Sequence, residues 1–194
     1  MEEVTYRPLI EETWPDLVAL FGENGACGGC WCMTWRLTSK EYEANKGENN
    51  KLKFHDLVKT GKPLGTLAFS NNIPIGWCSV SPRETYLGLE KSRLFKRIDR
   101  NPVWSVTCLF IRKDFRRDGL SSTLIKTACN NAFNQGAETI EAYPIIPKKD
   151  KMPDVFAWVG FVKAYKNVGF DVVSQPSETR LIMRLTKDKI KTNP

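Results

Sequence analysis

The chain has one histidine among its 194 residues and nowhere approaches the roughly 18–20 uninterrupted apolar residues that span a bilayer. The second absence excludes an integral membrane protein. The opening stretch MEEVTYRPLI lacks a basic segment followed by an apolar block, so export is not expected. Neither G-x-G-x-x-G nor G-x-x-x-x-G-K occurs, which removes the Rossmann and Walker phosphate loops. There is also no internal repeat and no low-complexity tract. The lone His55 falls in a polar helical stretch and reads as a surface group.

What is present suits one soluble globular unit. A content of 41% hydrophobic and 26% charged residues is near the globular average, so a chain this long can bury about 70% of its unfolded surface in a single core. We expect a single domain over 1–194, with an N-terminal β–α and cysteine-rich portion to 62 and a ligand-binding core over 63–186. Lys and Arg number 29 against 22 Asp and Glu, a net +7 that attracts nucleic acid, anionic lipid or a polyphosphate ligand. The six cysteines read as reduced thiols in a cytoplasm, because a core of this size does not need disulfides.

Periodicity predicts a strand at 4–10 and then a helix over 13–21, with Thr13 as N-cap and Gly22 as stop. Weak helical patches follow at 39–46 and 50–60. Strands at 64–69 and 73–81 face each other across Ser70-Asn71-Asn72 as an antiparallel hairpin. Residues 84–100 form a partly helical excursion with Leu87, Leu94, Phe95 and Ile98 as candidates for its buried stripe. VWSVTCLFI, at 103–111, is apolar enough to be a central strand buried on both faces. A helix from about Leu120 to Gly136, a strand at 139–145, a helix at about 155–167 and closing strands at 170–174 and 179–185 complete the pattern. The tail TKDKIKTNP should fray.

The segment between the central strand and the helix at Leu120, RKDFRRDGLSS, has the make-up of an anion site. Gly119 allows close backbone approach, the first-turn amides lack intrahelical acceptors, the helix dipole adds positive charge, and Arg116 and Arg117 reinforce it. An ordinary strand-to-helix turn with solvated arginines is the alternative.

Leu109-Phe110-Ile111 followed by Arg116-Arg117-Asp118-Gly119-Leu120-Ser121 resembles the signature R/Q-x-x-G-x-G/A of the GNAT N-acetyltransferases, with Ser121 where Gly or Ala is usual. Downstream, Tyr165-Lys166-Asn167-Val168-Gly169-Phe170 is similar to the family's Y-x-x-x-G-F segment. The resemblance spans about 63–186. It implies an α/β (α+β) fold with a mixed, splayed sheet of about six or seven strands flanked by helices. It also implies acetyl-CoA as cofactor, with its pyrophosphate on amides from about Arg116 to Ser122 and its pantetheine arm along Leu109, Phe110 and Ile111.

The activity implied is direct attack of an acceptor amine on the thioester within a ternary complex. A backbone amide near Leu109 or Phe110 would hold the developing oxyanion, and Tyr165, whose phenol stays neutral at pH 7, would protonate the leaving thiolate. Tyr165 as a plain core residue is the alternative. The central strand holds no acid, so Glu141 on the next strand is the candidate base, against an exposed strand residue as the plainer reading. The asparagine often seen before the tyrosine is absent from Val155-Phe156-Ala157-Trp158.

Cys27, Cys30 and Cys32 form C-x-x-C-x-C, but no fourth ligand lies nearby, and no metal is expected. GGCWCMTWR also looks like a segment of one bacterial subgroup of these enzymes. Trp31, Trp35 and Arg36 would wall a pocket for a small-molecule or peptide amine, or else the tryptophans plug the core. A basic nucleic-acid-binding module using KSRLFKRIDR, or a CoA-binding protein without transferase activity, are the competing functions. Glu90 and Asp99 break up that basic stretch, so no nucleic-acid partner is expected, nor a membrane. A homodimer stays open.

Overall fold

In a computed structural model, residues 3–116, 118–147 and 158–191 are described. Seven strands make one sheet: β1 (Val4–Pro8), β2 (Gly65–Ser70), β3 (Ile73–Pro82), β4 (Trp104–Ile111), β5 (Thr139–Ala142), β6 (Asp171–Ser177) and β7 (Arg180–Thr186). Their order is β1-β2-β3-β4-β5-β7-β6, which puts the apolar run of the sequence at the centre as β4. All neighbours are antiparallel except β4 and β5. The β2–β3 hairpin turns on Asn71 and Asn72, both left-handed, the geometry that matches the twist of the flanking strands.

The helices are α1 (Trp14–Phe21), α2 (Ser39–Asn45), α3 (Glu48–Lys59), the short α4 (Leu87–Glu90), α5 (Leu120–Asn134), α6 (Val162–Val168) and α7 (Lys187–Lys191). On one face, Leu124, Ile125, Ala128 and Phe133 of α5 pack with Ile75, Val106, Leu109 and Ile140 of the sheet and with Tyr165 of α6. Trp14, Leu17 and Phe21 of α1, Phe54 of α3, and Trp31 form a second cluster on Leu67, Phe69 and Trp77. His55 stacks flat on Trp14 at 4.5 Å and pairs with Glu11 at 2.8 Å, a bracket between α3 and the start of α1.

Several expectations are refined. Thr13 stands at the N-cap position of α1, as expected, but its side chain makes no capping bond there; its hydroxyl donates to Pro8 at 2.8 Å beside the preceding turn of 3-10 helix, Glu11–Thr13. Of the proposed stripe in 84–100, Phe95 alone is buried, while Leu87, Leu94 and Ile98 are about two-fifths exposed. The tail forms α7 rather than fraying from 186. The helix expected at 155–167 begins at Val162 among the described residues, and Val155, Phe156 and Ala157 lie outside them.

The 84–100 excursion is held by polar bonds instead. Arg83, 1% exposed, donates through Nε to Glu90 at 2.6 Å, through Nη1 to Glu141 at 2.7 Å and Tyr143 at 2.8 Å, and through Nη2 to the Phe95 carbonyl at 2.6 Å. The other oxygen of Glu141 accepts from Nε of Arg184 at 3.0 Å. A buried guanidinium with every branch satisfied is a structural clamp.

Candidate active site

β4 and β5 pair through three residues each, Trp104–Val106 against Ile140–Ala142, and then part. At the parting β4 is bulged: Val106 faces Val80 and Cys108 faces Ser79, so Thr107 is the extra residue. A bulge twists its strand and re-aims the groups after it. The amide of Leu109, two residues on, is thereby turned out of the β3 ladder.

A strap fills the gap. The Leu109 N–H donates to the Trp158 carbonyl at 2.7 Å, and the Ile145 N–H donates to the Gly160 carbonyl at 3.2 Å. Gly160 is left-handed, and a Cβ on it would meet the Tyr165 ring at 2.9 Å and Leu109 Cδ2 at 3.4 Å. Only glycine lets the strap lie this close to both. The Tyr165 side chain is fully buried, and its hydroxyl donates to the Val159 carbonyl at 2.9 Å. Burial pushes its phenol well above the ordinary range, so it holds its proton at neutral pH. Leu109 and Tyr165 are thus brought together at the mouth of the splay.

At the far end of β4 the chain turns into α5. Gly119 is the left-handed residue before the helix, and a Cβ there would point into open space. The amides of Ser122 and Thr123 fold back onto the Gly119 carbonyl, whereas those of Leu120 and Ser121 have no acceptor among the described residues. Among the described residues, the amides without an acceptor are thus fewer than the expected Arg116-to-Ser122 span. The Arg116 Nε donates to the Ile111 carbonyl at 2.8 Å, which holds the turn against the end of β4. Asp118 is exposed, and Arg117 lies outside the described residues. The Ser122 hydroxyl bonds the Ala164 carbonyl at 3.3 Å and ties α5 to α6. Phe110 faces away from Leu109 and packs edge-on against Phe21, with ring centroids 5.6 Å apart.

The model of the acetyltransferase (GNAT) family matches residues 31–167. The chain belongs to that family. Its members take an acetyl group from acetyl-CoA, and this protein is an acetyltransferase of the same kind. No curated protein sequence matches it. Among solved structures it is similar to the PaiA N-acetyltransferase of Thermoplasma acidophilum, crystallised with coenzyme A, at 18% identity over 95% of this chain and 99% of that one with a TM-score of 0.55. The aminoglycoside N(6')-acetyltransferase of Legionella pneumophila gives 17%, 100%, 98% and 0.54. The ribosomal-protein-S5-alanine acetyltransferase of Vibrio fischeri gives 15%, 97%, 95% and 0.55. At such identities the likeness shows the fold.

Among the described residues, two amides without an acceptor stand beside an open glycine at a helix start, next to a strand end whose partner strand has turned away.

The other expected site residues divide. Glu141 is not an exposed strand residue but 1% exposed, and both its oxygens are engaged by Arg83, Arg184 and Tyr143. Both oxygens of that carboxylate are therefore occupied within the fold and face no open space. It also stands opposite to Ile140 and Ala142, which pack with Tyr165. Trp31 is buried against Trp14 and Phe21, at 6.2 Å and 5.8 Å between centroids, and serves the core. Trp35 is half-buried, its indole N–H has no partner among the described residues, and its ring lies 6.3 Å from that of Trp158. Arg36 is buried at 6% exposure over the Tyr86 ring. In the basic stretch, Arg97 pairs with Glu90 at 2.9 Å and Asp99 with Arg184, so its charges are partly spent within the fold. All six cysteines are free, with Cys27 exposed and Cys32 buried.

Sequence reasoning missed the Trp158 strap and Arg83. A glycine three residues beyond Ala157 was the available signal for the strap.

Proposed function

We propose that this GNAT protein is a single-domain N-acetyltransferase that moves the acetyl group of acetyl-CoA to a primary amine of a small molecule or peptide, both bound together. The supporting observation is Gly119, open and left-handed, followed by two amides without an acceptor among the described residues at the foot of β4. Acetyl-CoA supplies the activated acetyl thioester. Gly119, Leu120 and Ser121 bind its diphosphate, with Arg116 positioning the turn and Arg117 and Asp118 flanking it; Leu120 otherwise packs in the core, and Ser122 ties α5 to α6. The backbone of β4 from Leu109 to Ile111 aligns the pantetheine arm. The Leu109 N–H, now given to the Trp158 carbonyl, is the donor that holds the acetyl oxygen, so the strap yields that amide when the cofactor arrives.

Tyr165 holds the proton for the departing thiolate, and burial, by pushing its phenol up, keeps it neutral until the thiolate forms. Trp35 lines the acceptor side, and Arg36 and Trp31 back it from beneath. We assign no base role to Glu141. The test is thiol release from acetyl-CoA across a panel of amines. Release with at least one amine supports the reading. Thermal stabilisation by acetyl-CoA without release from any amine would instead mean a CoA-binding protein of this fold.

A further inference from the structure

Two arginines of β7 share a face and differ in their partners. Leu181, Met183 and Leu185 pack with α5 and α6, so by strand alternation Arg180, Ile182 and Arg184 face the other side of the sheet. There Ile182 clusters with Phe95 and Tyr143, and Trp35 packs against them. Arg184 binds Glu141 at 2.9 Å and also Asp99. Arg180 is half-buried, its guanidinium has no hydrogen-bond or ion-pair partner among the described residues, and burial alone acts on its ionisation. The carboxylates around this cluster are taken: Glu141 by Arg83 and Arg184, Glu90 by Arg83 and Arg97, Asp99 by Arg184. A guanidinium stays charged in any protein setting, so the face keeps an uncompensated positive charge. That charge lies near the reaction centre. Arg180 pairs with Ile145, whose amide donates to the Gly160 carbonyl of the strap at 3.2 Å, and the same strap gives its Trp158 carbonyl to Leu109 at 2.7 Å. The Trp158 ring lies 6.3 Å from that of Trp35, and Trp35 meets Phe95 edge-on at 5.8 Å. Both tryptophans are half-buried, so solvent reaches this wall. The Trp35 indole N–H, buried without a partner among the described residues, is a further donor on it.

Resting on the acetyl-transfer reading above, we propose that Arg180 determines acceptor specificity and that the acceptor is a small amine carrying a carboxylate on an apolar body, an aromatic amino acid being the simplest example. Arg180 receives the carboxylate, Trp35 and Trp158 flank the apolar body, and the amine is left to approach the thioester beside Leu109. A polyamine has a second ammonium to place, and it meets Arg180 where it needs a carboxylate.

The test uses the whole chain and matched ligands: phenylalanine, phenethylamine, which lacks the carboxylate, 3-phenylpropanoate, which lacks the amine, and spermidine as polycation. In thiol release from acetyl-CoA, phenylalanine should show a kcat/KM at least about tenfold above phenethylamine and spermidine, the scale of one charged hydrogen-bonded pair. Arg180→Gln should erase that preference, and Arg180→Lys should keep part of it. By calorimetry, 3-phenylpropanoate should bind the unaltered protein and not Arg180→Gln. Such binding without thiol release from any amine would support the carboxylate site and count against acetyl transfer. The proposal is overturned if phenethylamine or spermidine is used as well as phenylalanine, or if the preference survives in Arg180→Gln. It is also overturned if 3-phenylpropanoate binds both proteins alike or neither.

Discussion

Arg83 and Arg36 are both buried, and they differ in what surrounds them. Arg83 spends its donors on two carboxylates, a phenol and a carbonyl, while Arg36 has hydroxyls, ring faces and an Nε without a partner among the described residues. The same contrast separates two regions of the molecule. Around Glu141 of β5 the buried polar groups are engaged. At the turn from β4 into α5 and in the loop before α2 capacity is unmet among the described residues: two amides, the Trp35 indole and the Arg36 Nε. Saturated groups hold a fold together, whereas unmet ones, when buried or aimed outward from a helix start, await something else.

The contrast is sharpest for substitutions that separate binding from stability. Gly119→Val puts a branched side chain into the open space and into left-handed backbone. Acetyl-CoA affinity by calorimetry should fall at least about a hundredfold, while unfolding free energy drops only by the about 1–2 kcal/mol of left-handed strain. Arg83→Met should do the reverse. It strands Glu141 beside a single arginine, and denaturant unfolding should show a loss of about 3–5 kcal/mol. Equal losses of stability in the two variants would break the comparison. Tyr165→Phe lies between the regions. It should lower kcat by about a hundredfold with cofactor affinity nearly unchanged, and cost about 1 kcal/mol from the bond to Val159.

The smallest expected effect is the acid limb of stability. Burial works against ionisation of Glu90, but hydrogen bonds from Arg97 and Arg83 overcome it and hold its carboxyl below the ordinary range. Asp99 is held down by hydrogen bonds from Arg184 and the Asn101 amide. A carboxylate depressed in the folded state contributes stability above its unfolded value and loses it as pH falls through the folded one. Stability should therefore be flat above about pH 5 and decline from about pH 4.3 downward. In Arg97→Gln that decline should be shallower, as followed by urea unfolding at stepped pH.

What could be read from the sequence was what local pattern encodes. The apolar spacing of Leu120, Leu124, Ala128 and Ala132 marked α5, Gly119 its start, and the unbroken apolar run β4. The hairpin followed from Asn71 and Asn72. What failed depended on distant partners. Glu141 looked solvent-facing because alternation along a strand says nothing of an excursion like 84–100 that covers the second face. Leu94 and Ile98 looked like anchors because Arg83, a polar clamp, leaves no apolar signature. The strap was hidden because the Leu109 amide and the Trp158 carbonyl meet only after β4 and β5 splay.

The most direct test of the central assignment is an amide NMR titration of the whole protein with acetyl-CoA. The account predicts that the Gly119, Leu120 and Ser121 amides shift as they meet the diphosphate, and that the Leu109 amide shifts as it leaves the Trp158 carbonyl. Saturable shifts confined to other parts of the chain, with the start of α5 unmoved, would contradict it.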